Sequence, residues 1–306
     1  MTMRVGFIGL GTIGEPMAAN LLAKGFPLTI CGHHNRAPVE RLQAAGAHVV
    51  ADPQAVAAAS QIVVTCVPDA PQVREVCLGE HGLVHGAQPG LIVVDCSTIN
   101  PTESRQIAAA LSTYGIAMLD APISGGPERA GRGELAIMVG GTPEAYAQAE
   151  PVLHALGRSV THVGPNGMGE VIKLANNMIC GNLMIAIAEA MTLAVKAGGD
   201  PATIREIVLQ SAGANFLLEA WVKDRLLKDD YTAGFATSLM QKDLGAALDS
   251  ARALGVPMMM TALSYQLYEL AEGAGYGRED YCAVSKIYQD AANVTIATGQ
   301  PRKNHA

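Results

Sequence analysis

No two of the six cysteines form a C-x-x-C pair; Cys31, Cys66, Cys77, Cys96, Cys180 and Cys282 are scattered along the chain. That spacing excludes a zinc ribbon or a disulfide framework, so no metal site is expected, and it fits small apolar core residues in a reducing compartment. A basic tract is also missing. Lys plus Arg number 21 against 28 Asp plus Glu, a formal net charge of −7, and such a surface repels phosphate backbones, so no nucleic-acid partner is expected. No charged leader with an apolar stretch and cleavage site precedes the first strand-like run, which leads us to expect a cytoplasmic protein. Internal repeats and low-complexity segments are absent too. With 49% hydrophobic and 16% charged residues the composition is globular, and 306 residues give length for two domains. One apolar run, Val171 to Ala197, has the length of a membrane span. It carries Lys173, Asn176, Asn177, Asn182, Glu189 and Lys196, a costly set in hydrocarbon, so it reads as a helix buried in protein and no membrane is expected.

Residues 1–163 alternate short β-type runs with helical stretches. Val5–Ile8, Leu28–Cys31, Ile62–Cys66, Leu91–Val94 and Ala117–Leu119 are the strand candidates, and Leu135–Val139 and Ser159–Val163 extend the series. Glu15–Ala23, Pro38–Ala45, Pro71–Leu78 and Pro101–Tyr114 lie between them as helices. This order predicts an α/β domain with a doubly wound, mostly parallel sheet. After Gly164-Pro165-Asn166-Gly167 the strand patterns stop, and residues 164–306 read as an all-α C-terminal domain. A long interdomain helix at about 167–197 joins the two domains, with further helices at 201–211, 215–228, 236–254, 258–274 and 279–297. Asp200-Pro201 is an N-cap with proline in the first turn, and Gly255 with Pro257 is a stop signal. Met258-Met259-Met260 reads as core packing.

Phe7-Ile8-Gly9-Leu10-Gly11-Thr12-Ile13-Gly14 is G-x-G-x-x-G between the first strand and the first helix. Gly9 permits the tight turn, Gly11 lets a pyrophosphate approach the backbone, and Gly14 allows close helix–strand packing. The phosphates then meet free N–H groups at the helix start. Gly9, Leu10, Gly11, Thr12, Ile13 and Gly14 are therefore the expected dinucleotide turn. An NAD site usually places an acid at the end of the second strand, but here the chain reads Cys31-Gly32-His33-His34-Asn35-Arg36. Arg36, with Asn35 and His33 or His34, suits a 2′-phosphate, so NADP is expected in preference to NAD. Val67 and Pro68, and Asp95-Cys96-Ser97-Thr98, follow two further strands and should face the cofactor. For Asp95 itself, capping the helix that starts at Pro101 is the expected role.

Ser124-Gly125-Gly126, at another strand end, offers backbone N–H groups and a hydroxyl to an anion such as a carboxylate. Gly167-Met168-Gly169 opens the long helix, and Lys173, Asn176 and Asn177 follow at i, i+3 and i+4 on one face. A lysine and two amides in an apolar helix are costly unless satisfied or used. One reading is an interhelical hydrogen-bond cluster; the other is a lysine poised for proton transfer at a carbonyl. Lys242 and Asp243 follow early in the 236–254 helix, where a surface ion pair is the plain expectation.

Taken together, Gly9-Leu10-Gly11-x-x-Gly14-x-Pro16-Met17-Ala18-x-Asn20-Leu21, Asp120-Ala121-Pro122-Ile123-Ser124-Gly125-Gly126, Gly167-x-Gly169-x-x-x-Lys173-Leu174-x-Asn176-Asn177 and Lys242-Asp243-Leu244 resemble the β-hydroxyacid dehydrogenases. The blocks keep that family's order over nearly the whole chain. The resemblance implies a Rossmann-type doubly wound sheet and NAD(P)-dependent interconversion of a 3-hydroxyacid and its semialdehyde. It implies Lys173 as the catalytic lysine, Asn177 as a substrate-orienting amide and Ser124, Gly125 and Gly126 as the carboxylate loop. Lys242 then lies near the nicotinamide ribose and substrate, with Asp243 beside it, and Val67, Pro68 and Thr98 border the cofactor. A homodimer or homotetramer acting on a small carboxylate is the implied assembly. The segment after the second strand departs from the family by one extra residue before Asn35-Arg36. Two other readings compete: a relative of the imine reductases, which generally lack lysine at the position of Lys173, and a dinucleotide-binding regulator without turnover.

Overall fold

The structure, a computed structural model, describes residues 3–33 and 35–302. It divides into two compact units, Met1–Lys173 and Leu174–Ala306.

In the first unit the strands β1 (Val5–Ile8), β2 (Leu28–Cys31), β3 (His48–Val50), β4 (Ile62–Thr65), β5 (Ile92–Asp95) and β6 (Ala117–Asp120) lie parallel in the order 3-2-1-4-5-6. Except at β3 and the first residue of β6, every one of their residues is buried, because helices cover both faces of a parallel sheet. Val5, Phe7, Ile62 and Val64 feed the core on one face, and Ile8, Val63 and Val93 the core on the other. The intervening helices are α1 (Gly14–Ala23), α2 (Ala37–Ala44), α3 (Pro53–Ala59), α4 (Ala70–Leu78) and α5 (Pro101–Ser112). Proline stands in the first turn of the last four, where its missing N–H costs nothing. Asp52, Asp69 and Asn100 cap three of these by accepting backbone N–H bonds.

Beyond β6 the sheet changes direction. Two residues, Ile123 and Ser124, form β7, and α6 (Gly126–Arg132) follows. Next, β8 (Leu135–Gly140) runs antiparallel to β6 and β7. The last pair, α7 (Pro143–Leu156) and β9 (Gly157–Gly164), closes this unit's sheet, with β9 parallel to β8. Neither β3 nor β7 is visible as a sequence pattern, since each holds only two or three residues of mixed exposure.

The helix α8 spans Met168–Lys196, and the division between units falls inside it. It is long and apolar enough to cross a membrane by length and composition, yet Glu170, Lys173, Asn177 and Thr192 on it are buried within the protein. The second unit continues with α9 (Pro201–Leu209), α10 (Thr237–Leu254), α11 (Met259–Ala271) and α12 (Ser285–Ala292) around Met184, Leu218, Leu226, Leu244 and Tyr268. Here three expected helices are broken. The 215–228 stretch is a π-helical turn at Leu217–Val222 followed by a short 3-10 turn, and 258–274 ends in a π-helical turn at Glu272–Tyr276. The 279–297 stretch begins as the 3-10 turn Tyr281–Val284 and stops at Asn293, which takes a left-handed conformation. Buried Asp280 ties two of these irregular segments to the loop before α10 and caps the 3-10 turn at Tyr281–Val284. Its carboxylate accepts bonds from the Trp221 indole and from the backbone N–H groups of Gly234, Phe235 and Cys282. The methionine cluster also departs from expectation: Met259 is 82% exposed and Met260 67%, so neither packs in the core.

Candidate active site

The dinucleotide turn has the geometry its glycines foretell. Gly9 adopts φ +100°, and a β-carbon there would overlap the Cys66 carbonyl; one at Gly14 would overlap the Gly9 carbonyl oxygen. A β-carbon at Gly11, by contrast, would meet open space, which leaves the backbone accessible to a ligand. Ile13 is the N-cap of α1 and its side chain makes no capping bond, so the helix start offers its N–H groups and positive dipole end to a phosphate. The turn also sits between β1 and β4, where the strand order reverses, the position at which doubly wound sheets bind nucleotides. Leu10 and Ile13 pack on the apolar core below, while Thr12 is exposed.

At the end of β2, a β-carbon on Gly32 would lie 2.8 Å from a guanidinium nitrogen of Arg36, so the arginine folds back over that strand end. Asn35 accepts from the Ala37 N–H at 3.1 Å, just ahead of α2, whose N-cap is Arg36. His33 is described, whereas His34 lies outside the described residues. Arg41, one turn further on, donates two bonds to Glu15 of α1 at 2.6 and 2.8 Å, and the guanidinium holds that carboxyl below its ordinary range.

The loops after β4 and β5 are tied together. Ser97 Oγ accepts from the Val67 N–H at 3.0 Å, which holds Val67 and Pro68 against the segment leading to Thr98. Asp95 is the hub of that arrangement, because one carboxylate oxygen accepts from Thr65 Oγ1, Ser97 Oγ and Ser97 N–H. It does not cap α5; Asn100 does. Asp95 is fully buried on a central strand, and a cap must stand at the helix start. Burial pushes its carboxyl up, and the Ser97 and Thr65 bonds offset part of that rise.

Ser124 pairs with Ala136 across β7 and β8. Gly125, at φ +144°, is the N-cap of α6, and Gly126 follows at φ +72°, so the Ser124-Gly125-Gly126 turn needs backbone conformations that other residues rarely adopt. Lys173 stands in the second turn of α8, in the same unit, with 7% of its surface exposed.

In the second unit, Asn177, Lys242 and Asp243 form one cluster. Asn177 donates to Asp243 Oδ2 at 2.5 Å and accepts from the Asn176 amide at 3.0 Å. Lys242 Nζ lies 3.2 Å from Asp243 Oδ1. Asp243 is 2% exposed, so this is a buried carboxylate with a half-buried cationic partner and not the surface ion pair expected. Asn176 is exposed while Lys173 and Asn177 are buried, so the expected common face holds only the latter two. Two buried carboxylates given no role from the sequence, Asp120 at the end of β6 and Glu170 in the first turn of α8, meet where that helix begins. Asp120 was visible in the sequence only as the first residue of a motif, and Glu170 as an unassigned position between Gly169 and Lys173.

Residues 4–164 match the family described as the NAD binding domain of 6-phosphogluconate dehydrogenase. Residues 167–288 match the NAD-binding domain of NADP-dependent 3-hydroxyisobutyrate dehydrogenase. The chain is 38% identical to 2-(hydroxymethyl)glutarate dehydrogenase of Eubacterium barkeri, with 98% of this chain and 99% of the relative covered. It is 37% identical to 2-hydroxy-3-oxopropionate reductase of Escherichia coli, with 96% and 100% covered. Among solved structures it resembles the 3-hydroxyisobutyrate dehydrogenase of Mycobacterium tuberculosis with L-serine, at 30% identity and a TM-score of 0.86, covering 94% of this chain and 99% of that one.

Breaking the amide–carboxylate contact leaves a buried acceptor unsatisfied. Asn177→Ala and Asp243→Ala should therefore show a coupling of about 0.5–3 kcal/mol in a double-mutant cycle followed by urea denaturation. Additive effects would mean that the two side chains do not depend on each other.

Proposed function

The chain belongs to the β-hydroxyacid dehydrogenase family, and from that premise we propose how its residues divide the work. It is an NAD(P)-dependent oxidoreductase that interconverts a small 3-hydroxyacid and its semialdehyde. The observation that carries the reading of the site is the buried lysine just after Gly167-Met168-Gly169, on the unit that also holds the dinucleotide turn.

When bound, the nicotinamide supplies or accepts the hydride at the alcohol carbon. The turn at Gly9, Leu10, Gly11, Thr12, Ile13 and Gly14 holds the pyrophosphate, with Val67, Pro68 and Thr98 as its borders. Arg36, with Asn35 and His33, takes a 2′-phosphate, so NADP is the preferred form. Ser124, Gly125 and Gly126 hold the substrate carboxylate through a hydroxyl and backbone N–H groups. Negative charge develops on the carbonyl oxygen during reduction; the Lys173 ammonium stabilises it and donates the proton, and the neutral amine takes the proton back in oxidation. Asn177 orients the substrate, and Lys242 with Asp243 completes the polar surround.

The substrates named for the relatives share one skeleton. 3-Hydroxyisobutyrate, L-serine and 2-(hydroxymethyl)glutarate each carry a hydroxymethyl group on the carbon next to a carboxylate, so that skeleton is the proposed substrate class. We place the enzyme in the cytoplasm, because all six cysteines are free thiols. A homodimer or homotetramer is supported by exposed apolar side chains on regular helices: Ile179 and Leu193 on α8, and Met259, Met260, Leu263 and Leu270 on α11. Sedimentation equilibrium at micromolar concentration should give at least a dimer; a monomer would remove this part of the proposal.

A panel of 3-hydroxyisobutyrate, L-serine, glycerate and 2-(hydroxymethyl)glutarate, assayed with both cofactors by nicotinamide absorbance, tests the activity. At least one acid should turn over, faster in kcat/KM with NADP than with NAD, and Arg36→Ala should narrow that gap. A native preference for NAD would sink the assignment of Arg36.

Lys173→Ala should lower kcat by roughly 10²–10⁴-fold, the usual worth of general acid–base help, while NADPH affinity by fluorescence titration persists. Lys173→Arg should rescue poorly because a guanidinium does not give up its proton. An alanine variant within a few-fold of wild type would return Lys173 to a merely structural role.

A further inference from the structure

We propose that Asp120 is the positioning residue for Lys173, acting as an anchor that fixes the start of α8 to the end of β6. The proposal rests on the reading of Lys173 as the acid–base group. Asp120 is fully buried at the last position of a central strand. Its side chain turns to the start of α8, within the same unit, and not to another strand. Oδ1 accepts from the Gly167 N–H at 2.7 Å, and Oδ2 accepts from the Glu170 N–H at 3.3 Å. The Asn166 amide donates to the Met118 carbonyl at 2.7 Å and lies 3.4 Å from Asp120 Oδ1. One carboxylate thus spans two N–H groups three residues apart, which is the bond pattern of a helix N-cap supplied from a distant strand.

The backbone around it leaves no slack. A β-carbon on Gly169 would overlap the Met138 carbonyl and stand 2.6 Å from the Asp120 carbonyl oxygen, and one on Gly140 would stand 2.5 Å from Asp120 Oδ2. The first turn of α8 therefore lies directly on the ends of β6 and β8. A second strut holds the same turn: Glu170 accepts from the Ile99 N–H at 3.2 Å, next to Thr98 in the loop expected to border the cofactor. Burial pushes the Asp120 carboxyl up, and the Gly167 and Glu170 N–H groups partly offset that. Lys173 follows Glu170 by three residues on the same rigid helix, so the height and rotation of its side chain are set at this anchor. Such placement matters because a shift of roughly 1 Å in a reacting group can cost about 10²-fold in rate.

The experiment compares Asp120→Ala, Asp120→Asn and Gly169→Ala with wild type and Lys173→Ala, using the fastest of the four panel acids. Asp120→Ala should lower kcat at least tenfold with KM and NADPH affinity within threefold, and amides 166–172 should exchange faster with deuterium. Asp120→Asn keeps an acceptor for Gly167 and should recover kcat to within about threefold of wild type. Gly169→Ala should repeat the loss in kcat alone, and it decides the question if the alanine variant at 120 does not fold. A kcat within twofold of wild type in both Asp120→Ala and Gly169→Ala overturns the proposal. So does a fall in NADPH affinity and melting temperature matching the fall in kcat, since that marks general collapse. If Lys173→Ala itself retains near-wild-type kcat, the acid–base reading fails, and the exchange data still report whether Asp120 anchors the helix.

Discussion

A helix start needs acceptors for its first N–H groups, and in α8 these come from the carboxylate of Asp120, a residue nearly fifty positions earlier in the chain. That single dependence links the sheet to the helix bearing Lys173. It also accounts for the glycines nearby, because only residues without side chains let the helix turn approach the ends of β6 and β8 so closely. Placing an acid there is costly in desolvation, and its carboxyl is accordingly pushed above its ordinary range. The same device recurs at Asp95, where one buried carboxylate holds the loop after β5 to the end of β4. It recurs again at Asp280, whose carboxylate ties the Trp221 indole to the loop before α10 and to the Cys282 N–H.

The three acids share a physical logic. Each is buried, and each is stabilised by N–H or hydroxyl donors from segments distant in the chain or in adjoining loops. Asp95 and Asp120 sit side by side in register on β5 and β6, and the Asp120 charge adds a little to the burial that pushes the Asp95 carboxyl up. The buried carboxylates of the first unit are thereby concentrated at the carboxyl ends of the strands, where the Gly9–Gly14 turn and the Ser124 loop also lie. In the second unit, Asn177, Lys242 and Asp243 form a smaller cluster of the same kind.

Much of this was legible in the order of residues along the chain. The conformation of the Gly9–Gly14 turn could be read because all three glycines act within a few positions of one another. The helix start at Asp200-Pro201 and the stop at Gly255 were readable for the same reason, since caps are local. The β-type runs of the parallel sheet stood out because strands buried on both faces are continuously apolar. By contrast, β3 and β7 were too short for any periodicity to show, and the π-helical turns replace i→i+4 bonds with i→i+5 ones, a change over five or six residues that no apolar spacing marks. Asp95 looked like a cap because Pro101 follows at a plausible distance; its true partners, Thr65 and Ser97, come partly from another strand.

The alternation of strands and helices, the glycine turn, the helix boundaries marked by proline, aspartate and glycine, and the family with its lysine motif all follow from the order of residues. These rest on contacts between residues close in the chain, so local spacing carries them. Folding in three dimensions settled that β8 turns antiparallel beside β6, that Met259 and Met260 face outward, and that Asn177 is buried while its neighbour Asn176 is not. It alone joined Asp120 to Gly167 and Lys242 to a buried Asp243. Those outcomes depend on which segments meet after the chain collapses, and burial and hydrogen-bond partners are properties of that meeting and not of any one segment.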